Sequence, residues 1–345
     1  MARCSREARD SARALPAIGV VVIFGYYDGS NPHAQRGRPA VMRKLAATTS
    51  ADLVSLSPLP PTWVETLIGP APVVIRSGRA DMAVEVRTGA HFTHVAIDMP
   101  RAHGFTPAQL HEHVRDAYLT VAATLNAQQR HPLRFWNFVP HIHSPSGEGL
   151  DRYMVFNGGR FSACEHWHGS SNHFDHTLAA ASGVGVLGEA MAIHCLAADV
   201  AGEPVENPRQ VPAYRYSRRY GPRPPCFARA TRLLMPVKDA WWLLVAGTAS
   251  IRGEETMHAG DVDAQVVETL DNLDALLAAA EAQRGSRTAR ARFRTLRVYI
   301  VRPEDLAVVR GRIEERYGPI ADVEYAQAEI CRADLLVEIE GVAEL

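Results

Sequence analysis

The sequence predicts an α/β (α+β) fold of two domains, each a β-sheet backed by helices, and three observations carry that expectation. At 345 residues the chain is longer than a single hydrophobic core usually serves. A strand–helix–strand alternation occurs once before residue 142 and again after Trp241. The composition is globular, 47% hydrophobic and 22% charged, without a low-complexity tract. The expected segments are a disordered tail over 1–14, an N-terminal domain over 15–235 and a C-terminal domain over 236–345, with the boundary near Met235–Pro236.

In the first half, strand signals fall at Pro72–Arg76, Met82–Arg87 and His91–Met99, where Thr93, Val95, Ile97 and Met99 share one face. Thr106 caps a helix with Pro107 in its first turn, and Leu110, Val114, Tyr118, Val121 and Leu125 form its apolar stripe. The strand Arg134–Ile142 follows. In the second half, the apolar run from Trp241 leads through a turn and a polar loop to a helix capped by Asp261 or Asp263. Its stripe is Val262, Val266, Leu270, Leu273 and Leu277. The strand Thr295–Val301 comes next, then a helix opened by Pro303, striped by Leu306, Val309, Ile313 and Tyr317 and stopped by Gly318-Pro319. At the end Leu335, Val337 and Ile339 face a core, while Glu338 and Glu340 share the other face. Residues 31–70, rich in Pro, Gly and polar groups, are expected to wrap the surface.

A formal net charge of -1 argues against a surface devoted to nucleic acid or anionic lipid. Five scattered cysteines with no C-x-x-C read as free thiols in a reducing cytoplasm. The basic start and the run Ile18–Phe24 imitate a signal peptide, but Glu7 and Asp10 sit in the charged region and no small-x-small site follows. The run is too short to span a bilayer and reads as a buried strand. A cytoplasmic protein is expected.

The chemistry gathers in a few stretches. From Asn207 to Arg232 there are seven arginines and no acid, and five prolines forbid a continuous helix. Such a stiff, extended segment suits an anion, because guanidinium forks pair with carboxylate or phosphate. The alternatives are a solvated or inter-subunit surface and a single-stranded nucleic acid. Glu254 and Glu255 lie in the loop after the buried Trp241 strand, and adjacent residues of extended chain point opposite ways, so at most one faces a pocket. His166, His168, His173 and His176 raise a zinc site, but their spacing matches no helix face and H-E-x-x-H is absent. A loop or interface role is preferred. The GVGVLG glycines, Gly183–Gly188, do not meet the dinucleotide fingerprint.

The blocks RFWNFVPHI, LDRYMVFNGGRF, ASGVG, ENPRQVPAYRYSRRYGPRPPCFARA, VAGTASIRGEETMHAGD and ICRADLLVEIEG together resemble the chorismatases, which remove pyruvate from chorismate. The second half also resembles the small trimeric Rid (YjgF) proteins in QVVETLDNLDALL and EIEGVAEL. The arginine with which those proteins hydrolyse imines would fall near Val323 and is missing, against imine hydrolysis. The resemblance implies two Rid/YjgF-like domains packed as a pseudo-trimer, with the pocket at a domain interface.

It also implies roles. Glu255, in GEET, matches the family's acid. Arg160, Tyr214, Arg223 and Arg229 match positions near the substrate carboxylates. Thr248 matches a cysteine that marks one aromatising type, which leaves 3-hydroxybenzoate, 4-hydroxybenzoate and a dihydroxycyclohexadiene carboxylate open as products. Ether cleavage requires a proton on the terminal methylene carbon, which a glutamic acid held neutral could give; burial and the substrate's own negative charge raise its pKa, while arginines lower it. The expectation is therefore a chorismatase without metal or other cofactor, binding chorismate but neither nucleic acid nor membrane, as a monomer or a homo-oligomer such as a trimer. The competing readings are a Rid-like binding or regulatory protein without catalysis, and a zinc hydrolase using the His166–His176 cluster.

Overall fold

A computed structural model of the chain describes residues 21–22, 53–236, 239–284 and 291–345. The expected 1–14 tail and much of the 31–70 wrap lie outside the described residues. The first strands are β1 (Val21–Val22), β2 (Val54–Ser55), β3 (Val73–Arg79), β4 (Met82–Thr88) and β5 (Phe92–Met99), with the short helix α1 (Trp63–Ile68) after β2. Then come α2 (Pro107–Ala127), β6 (His131–Pro140), α3 (Arg152–His168), α4 (Phe174–Thr177), β7 (Ala180–Val186) and β8 (Met191–Ala198). The remainder is β9 (Glu203–Val205), β10 (Ala230–Leu234), β11 (Trp241–Ala249), β12 (Ile251–Arg252), β13 (Glu255–Thr256), α5 (Val262–Arg284), β14 (Arg292–Ile300), α6 (Leu306–Tyr317), β15 (Asp322–Gln327) and β16 (Val337–Glu344).

The helices form where capping and stripe coincide. Thr106 and Gln109 make a reciprocal capping box at the head of α2, and all five expected stripe residues are buried. Asp261 caps α5, its Oδ1 accepting from the Ala264 N–H at 3.1 Å. Gly318, at φ 70°, ends α6 in the left-handed region. Among the described residues no helix is long and apolar enough to cross a membrane.

Two seven-stranded sheets result, in the orders β1-β3-β4-β5-β8-β6-β7 and β2-β15-β14-β16-β11-β10-β9. Their connectivity is duplicated. In the first unit β4 and β5 pair antiparallel, α2 leads to β6, α3 leads to β7 parallel with β6, and β8 inserts antiparallel between β5 and β6. In the second, β10, β11, α5, β14, α6, β15 and β16 repeat the same order and senses. Because β9 and β10 belong to the second sheet, Met235–Pro236 lies in the β10–β11 connection, inside the second unit.

The layers run helices, sheet, sheet, helices. One core joins α2 and α3 to the first sheet, another joins α5 and α6 to the second. A third lies between the sheets, where Phe92, Trp136, Phe138 and Leu196 meet Trp242, Leu244, Tyr299 and Val342. Two such units are present among the described residues, with this one sheet-to-sheet interface between them.

Helix α3 carries no clear apolar stripe in the sequence, because Asn157, Gly158, Gly159 and Arg160 interrupt it, yet all four are buried. A Cβ at Gly159 would fall 2.4 Å from the His111 carbonyl oxygen, so glycine lets α2 and α3 pack backbone to backbone. Gly183 and Gly185 lie within β7, a strand buried along its whole length.

Between the sheets the Arg134 guanidinium pairs with Glu340 at 2.9 Å, both side chains 2% exposed. Removing one partner of such a pair strands a charge. Arg134→Met should therefore cost about 3–5 kcal/mol, and Arg134→Met combined with Glu340→Leu should recover most of it. Denaturant unfolding of the two variants measures this.

Candidate active site

A cavity of about 500 Å³ opens between the two units. From the first unit, α3 contributes Tyr153, Met154 and Arg160, and β7 contributes Ala181–Gly183. From the second come Gly247 and Ala249 of β11, Glu255 and Thr256 of β13, the turn Cys331–Asp334 and Glu338 of β16. The arginine-rich segment closes the remaining wall with Tyr216, Arg219, Tyr220, Phe227 and Arg229. From Asn207 to Arg229 that segment is irregular apart from two single 3₁₀ turns, as its prolines require, and it then enters β10.

Arg160 and Arg229 are 1% and 4% exposed. Arg160 donates to Asn157 Oδ1 at 2.7 Å and lies over the rings of Phe156 and Phe227. Arg229 donates to the Tyr216 hydroxyl at 2.7 Å and to the Val211 carbonyl at 3.0 Å. Neither forms an ion pair, and the Nε–H of each is buried without a partner among the described residues. A buried donor left unpaired is costly unless something else accepts from it.

Glu338 faces this cavity and is 4% exposed. Burial, and after it the charge of Glu340, push its carboxyl up to about 8, against the opposing pull of Arg134 and Arg229. Gly247 makes room for it, since a Cβ there would sit 1.9 Å from Glu338 Oε1. Beside it Cys331 lines the cavity as a thiol, pushed up to about 12 by burial and by Glu338. Arg332 lies 3.8 Å over the Tyr220 ring and donates to the Glu254 carbonyl.

Of the residues singled out in the sequence, Glu255, Arg160 and Arg229 therefore meet in one cavity. Glu255 occupies its mouth, 51% exposed, paired with Arg219 and approached by the Tyr220 hydroxyl. Its neighbour Glu254 points away and accepts from the Ser217 N–H, which holds its carboxyl below the usual range. Three others lie outside the lining. Tyr214 packs edge-on against Phe174, Arg223 stacks 4.9 Å over Phe161, and buried Thr248 donates its hydroxyl to the Ala246 carbonyl at 3.1 Å. The cavity's one cysteine is Cys331, not a residue at 248.

Sequence reading missed Glu338, Cys331, Tyr153 and Arg332 as site residues. The available signal for Glu338 was a strand with carboxylates on one face and aliphatics on the other, which turns out to be buried on both. Other arginines of the cationic segment pair with acids: Arg209 with Glu268, Arg219 with Glu255 and Arg232 with Glu203. Among the described residues, no cluster of three or more His, Cys, Asp or Glu side chains could hold a metal ion. His166 and His168 end α3, while His173 and His176 lie on the following short turns.

The geometry is that of a crevice between the two units, lined by two buried arginines and by the buried Glu338 carboxyl. A family model described as chorismatase FkbO/Hyg5-like, N-terminal, matches residues 67–197. A 3-hydroxybenzoate synthase of Streptomyces hygroscopicus is 39% identical over 67% of this chain and 69% of its own length. A chorismatase of Streptomyces rapamycinicus is 41% identical over 61% and 63%. A chorismatase crystal structure aligns with TM-score 0.67 and 30% identity, covering 77% of this chain and 78% of that one. The chain belongs to the chorismatase family.

The buried acid has a thermodynamic signature. Between its ordinary value of 4.5 and about 8 the folded chain keeps a proton that the unfolded chain releases. Stability should therefore fall as pH rises through that window, relative to Glu338→Gln, and the difference should level off above it. Unfolding of the two proteins in parallel from pH 5 to 9 tests this.

Proposed function

We propose that this chain cleaves the enolpyruvyl ether of chorismate and releases pyruvate, with Glu338 as the general acid. The observation that carries the reading is the buried Glu338 carboxyl, without a donor among the described residues and pushed up to about 8 by burial, in a cavity wall that also holds two guanidiniums with unpartnered N–H groups. Chorismate brings two carboxylates and an enol ether to such a site. Arg160 and Arg229 are suited to the carboxylates, and Tyr153 and Phe227 give the ring flat apolar walls.

In the reaction Glu338 gives its proton to the terminal methylene carbon of the enolpyruvyl group. The double bond's electron pair forms the new C–H bond and leaves an oxocarbenium ion at the ether carbon. Water adds there, losing a proton, and the hemiketal collapses to pyruvate and the ring alcohol, the Glu338 carboxylate taking a proton back. Glu255 is the acid that the family resemblance suggests, but it is half exposed and engaged by Arg219, so the burial that the acid needs is absent from it. In this reading Glu255 and Arg219 belong to the rim.

Cys331 supports a second element, the choice of product. In the family resemblance the cysteine that marks one aromatising type falls at Thr248; in this reading Cys331, a cavity cysteine beside the acid, takes that role instead. On this basis 3-hydroxybenzoate is the proposed product, the ring diol losing its C4 hydroxyl and C3 hydrogen as one water to become aromatic, and mass analysis of the products of wild type and Cys331→Ala distinguishes it from a dihydroxycyclohexadiene carboxylate.

Glu338→Gln keeps the shape but has no carboxylic proton, so pyruvate release from chorismate should fall by about two to four orders of magnitude. Glu255→Gln should keep most of the rate. The opposite ranking would move the acid to Glu255, and full activity in both would remove the mechanism. Wild-type activity should decline as pH rises through about 8, the value at which Glu338 loses its proton. Arg160→Ala and Arg229→Ala should each weaken chorismate binding by about 1.5–3 kcal/mol, the size of a hydrogen bond to a charged group. Calorimetric titration into the inactive Glu338→Gln protein measures this.

A further inference from the structure

Glu338 and Glu340 occupy alternate positions of β16, so both point into the space between the sheets, about 7 Å apart along the strand. Their surroundings differ. Glu340 accepts from Arg134 Nη2 at 2.9 Å, from Trp136 Nε1 at 2.8 Å and from the Ser182 hydroxyl. Three donors, one of them a guanidinium, satisfy that carboxylate. Among the described residues no donor reaches Glu338, whose side chain lies against Gly247 and the cavity. The strand thus carries one carboxyl fully hydrogen-bonded and one with none.

We infer that Glu340 is a positioning residue of the reaction: a fixed negative charge, held by Arg134, Trp136 and Ser182, that keeps the proton on Glu338 until substrate arrives. The inference rests on the reading of Glu338 as the acid. The charged and titratable groups around Glu338 are Glu340 on its own strand, Arg134 on β6, Arg229 from the segment before β10, Tyr153 on α3 and Cys331 in the turn before β16. Strands β7 and β11 present Ser182 and Gly247, which carry no charge. After burial itself, Glu340 is the largest influence on Glu338, ahead of Arg134 and Arg229, which oppose it. The ion pair therefore acts on Glu338 with its negative end foremost. Ser182 extends the same arrangement to the cavity, since its hydroxyl receives from Arg134, donates to Glu340 and lines the wall.

The test separates charge from structure. Glu340→Gln keeps the volume and an acceptor oxygen but removes the charge. In this variant the Glu338 carboxyl, followed by ¹³C NMR in the enzyme without substrate, should titrate about one pH unit or more lower than in wild type. The falling limb of pyruvate release should move by the same interval, so that the loss of activity is smallest near pH 6 and grows to about fivefold or more at pH 8. A loss of packing alone would lower the rate at every pH and leave the limb where it was. The double variant Arg134→Met with Glu340→Gln removes both ends of the pair and should give a smaller downward shift. It also decides the matter should the single variant fail to fold. An unshifted or raised Glu338 titration in the variant that folds would overturn the inference, whatever the activity. A Glu338→Gln enzyme with wild-type pyruvate release would instead remove the reading beneath it, and the two failures are read from different proteins.

Discussion

The buried ion pair between Arg134 and Glu340 is the constraint on which the rest depends. Taking both groups out of water is expensive, and the cost is offset only because each finds further partners: Glu340 in Trp136 and Ser182, Arg134 in Ser182 and the Phe135 carbonyl. Those partners come from β6 and β7 of one sheet and β16 of the other. Sliding the sheets past one another would strand several polar groups at once. The network therefore fixes the sheet-to-sheet register, and with it the distance from α3, which carries Arg160, to β16, which carries Glu338.

The duplicated topology makes the asymmetry of the molecule informative. On one side of the inter-sheet space, β7, β11 and β16 border an open cavity. On the other, residues 56–63 fill the space. There the Pro58 carbonyl is bonded to His194 at 2.9 Å and the Leu59 carbonyl accepts from Arg297 at 2.8 Å, while Trp63 packs edge-on against Trp136. His94 and His194 stack within this filled region, and burial pushes them down to about 3 and about 4, so both are neutral at physiological pH. One unit built twice thus yields one open crevice and one filled by packing.

The cationic segment divides in the same spirit. Its extended course brings Arg229 to the interior and Arg219 to the mouth, while Arg209 and Arg232 pair with acids of other elements. Seven arginines looked alike in the sequence because residue type reports charge and not partner. Among the described residues, Arg160 and Arg229 are the buried arginines that line the cavity; each has an Nε–H without a partner, as does buried Arg232, whose guanidinium pairs with Glu203.

What the sequence determined by itself was local: the capped, striped helices α2, α5 and α6, most of the central strands, the absence of a helix through the prolines of 208–225, and the family resemblance carried by contiguous blocks. These depend on neighbours within a few residues, where periodicity and capping chemistry operate. Helix α3 escaped because its glycines are explained by α2, a separate element. Glu338 escaped for the same kind of reason. The alternation of Leu335, Val337 and Ile339 with Glu338 and Glu340 places the carboxyls on one face, and a strand with one aliphatic and one acidic face usually turns the acids to water. Whether that face meets solvent or a second sheet is a property of the packing. Tertiary structure decided it by laying β6 and β7 over the carboxyls, giving one of them a guanidinium and leaving the other beside Gly247 without a donor among the described residues.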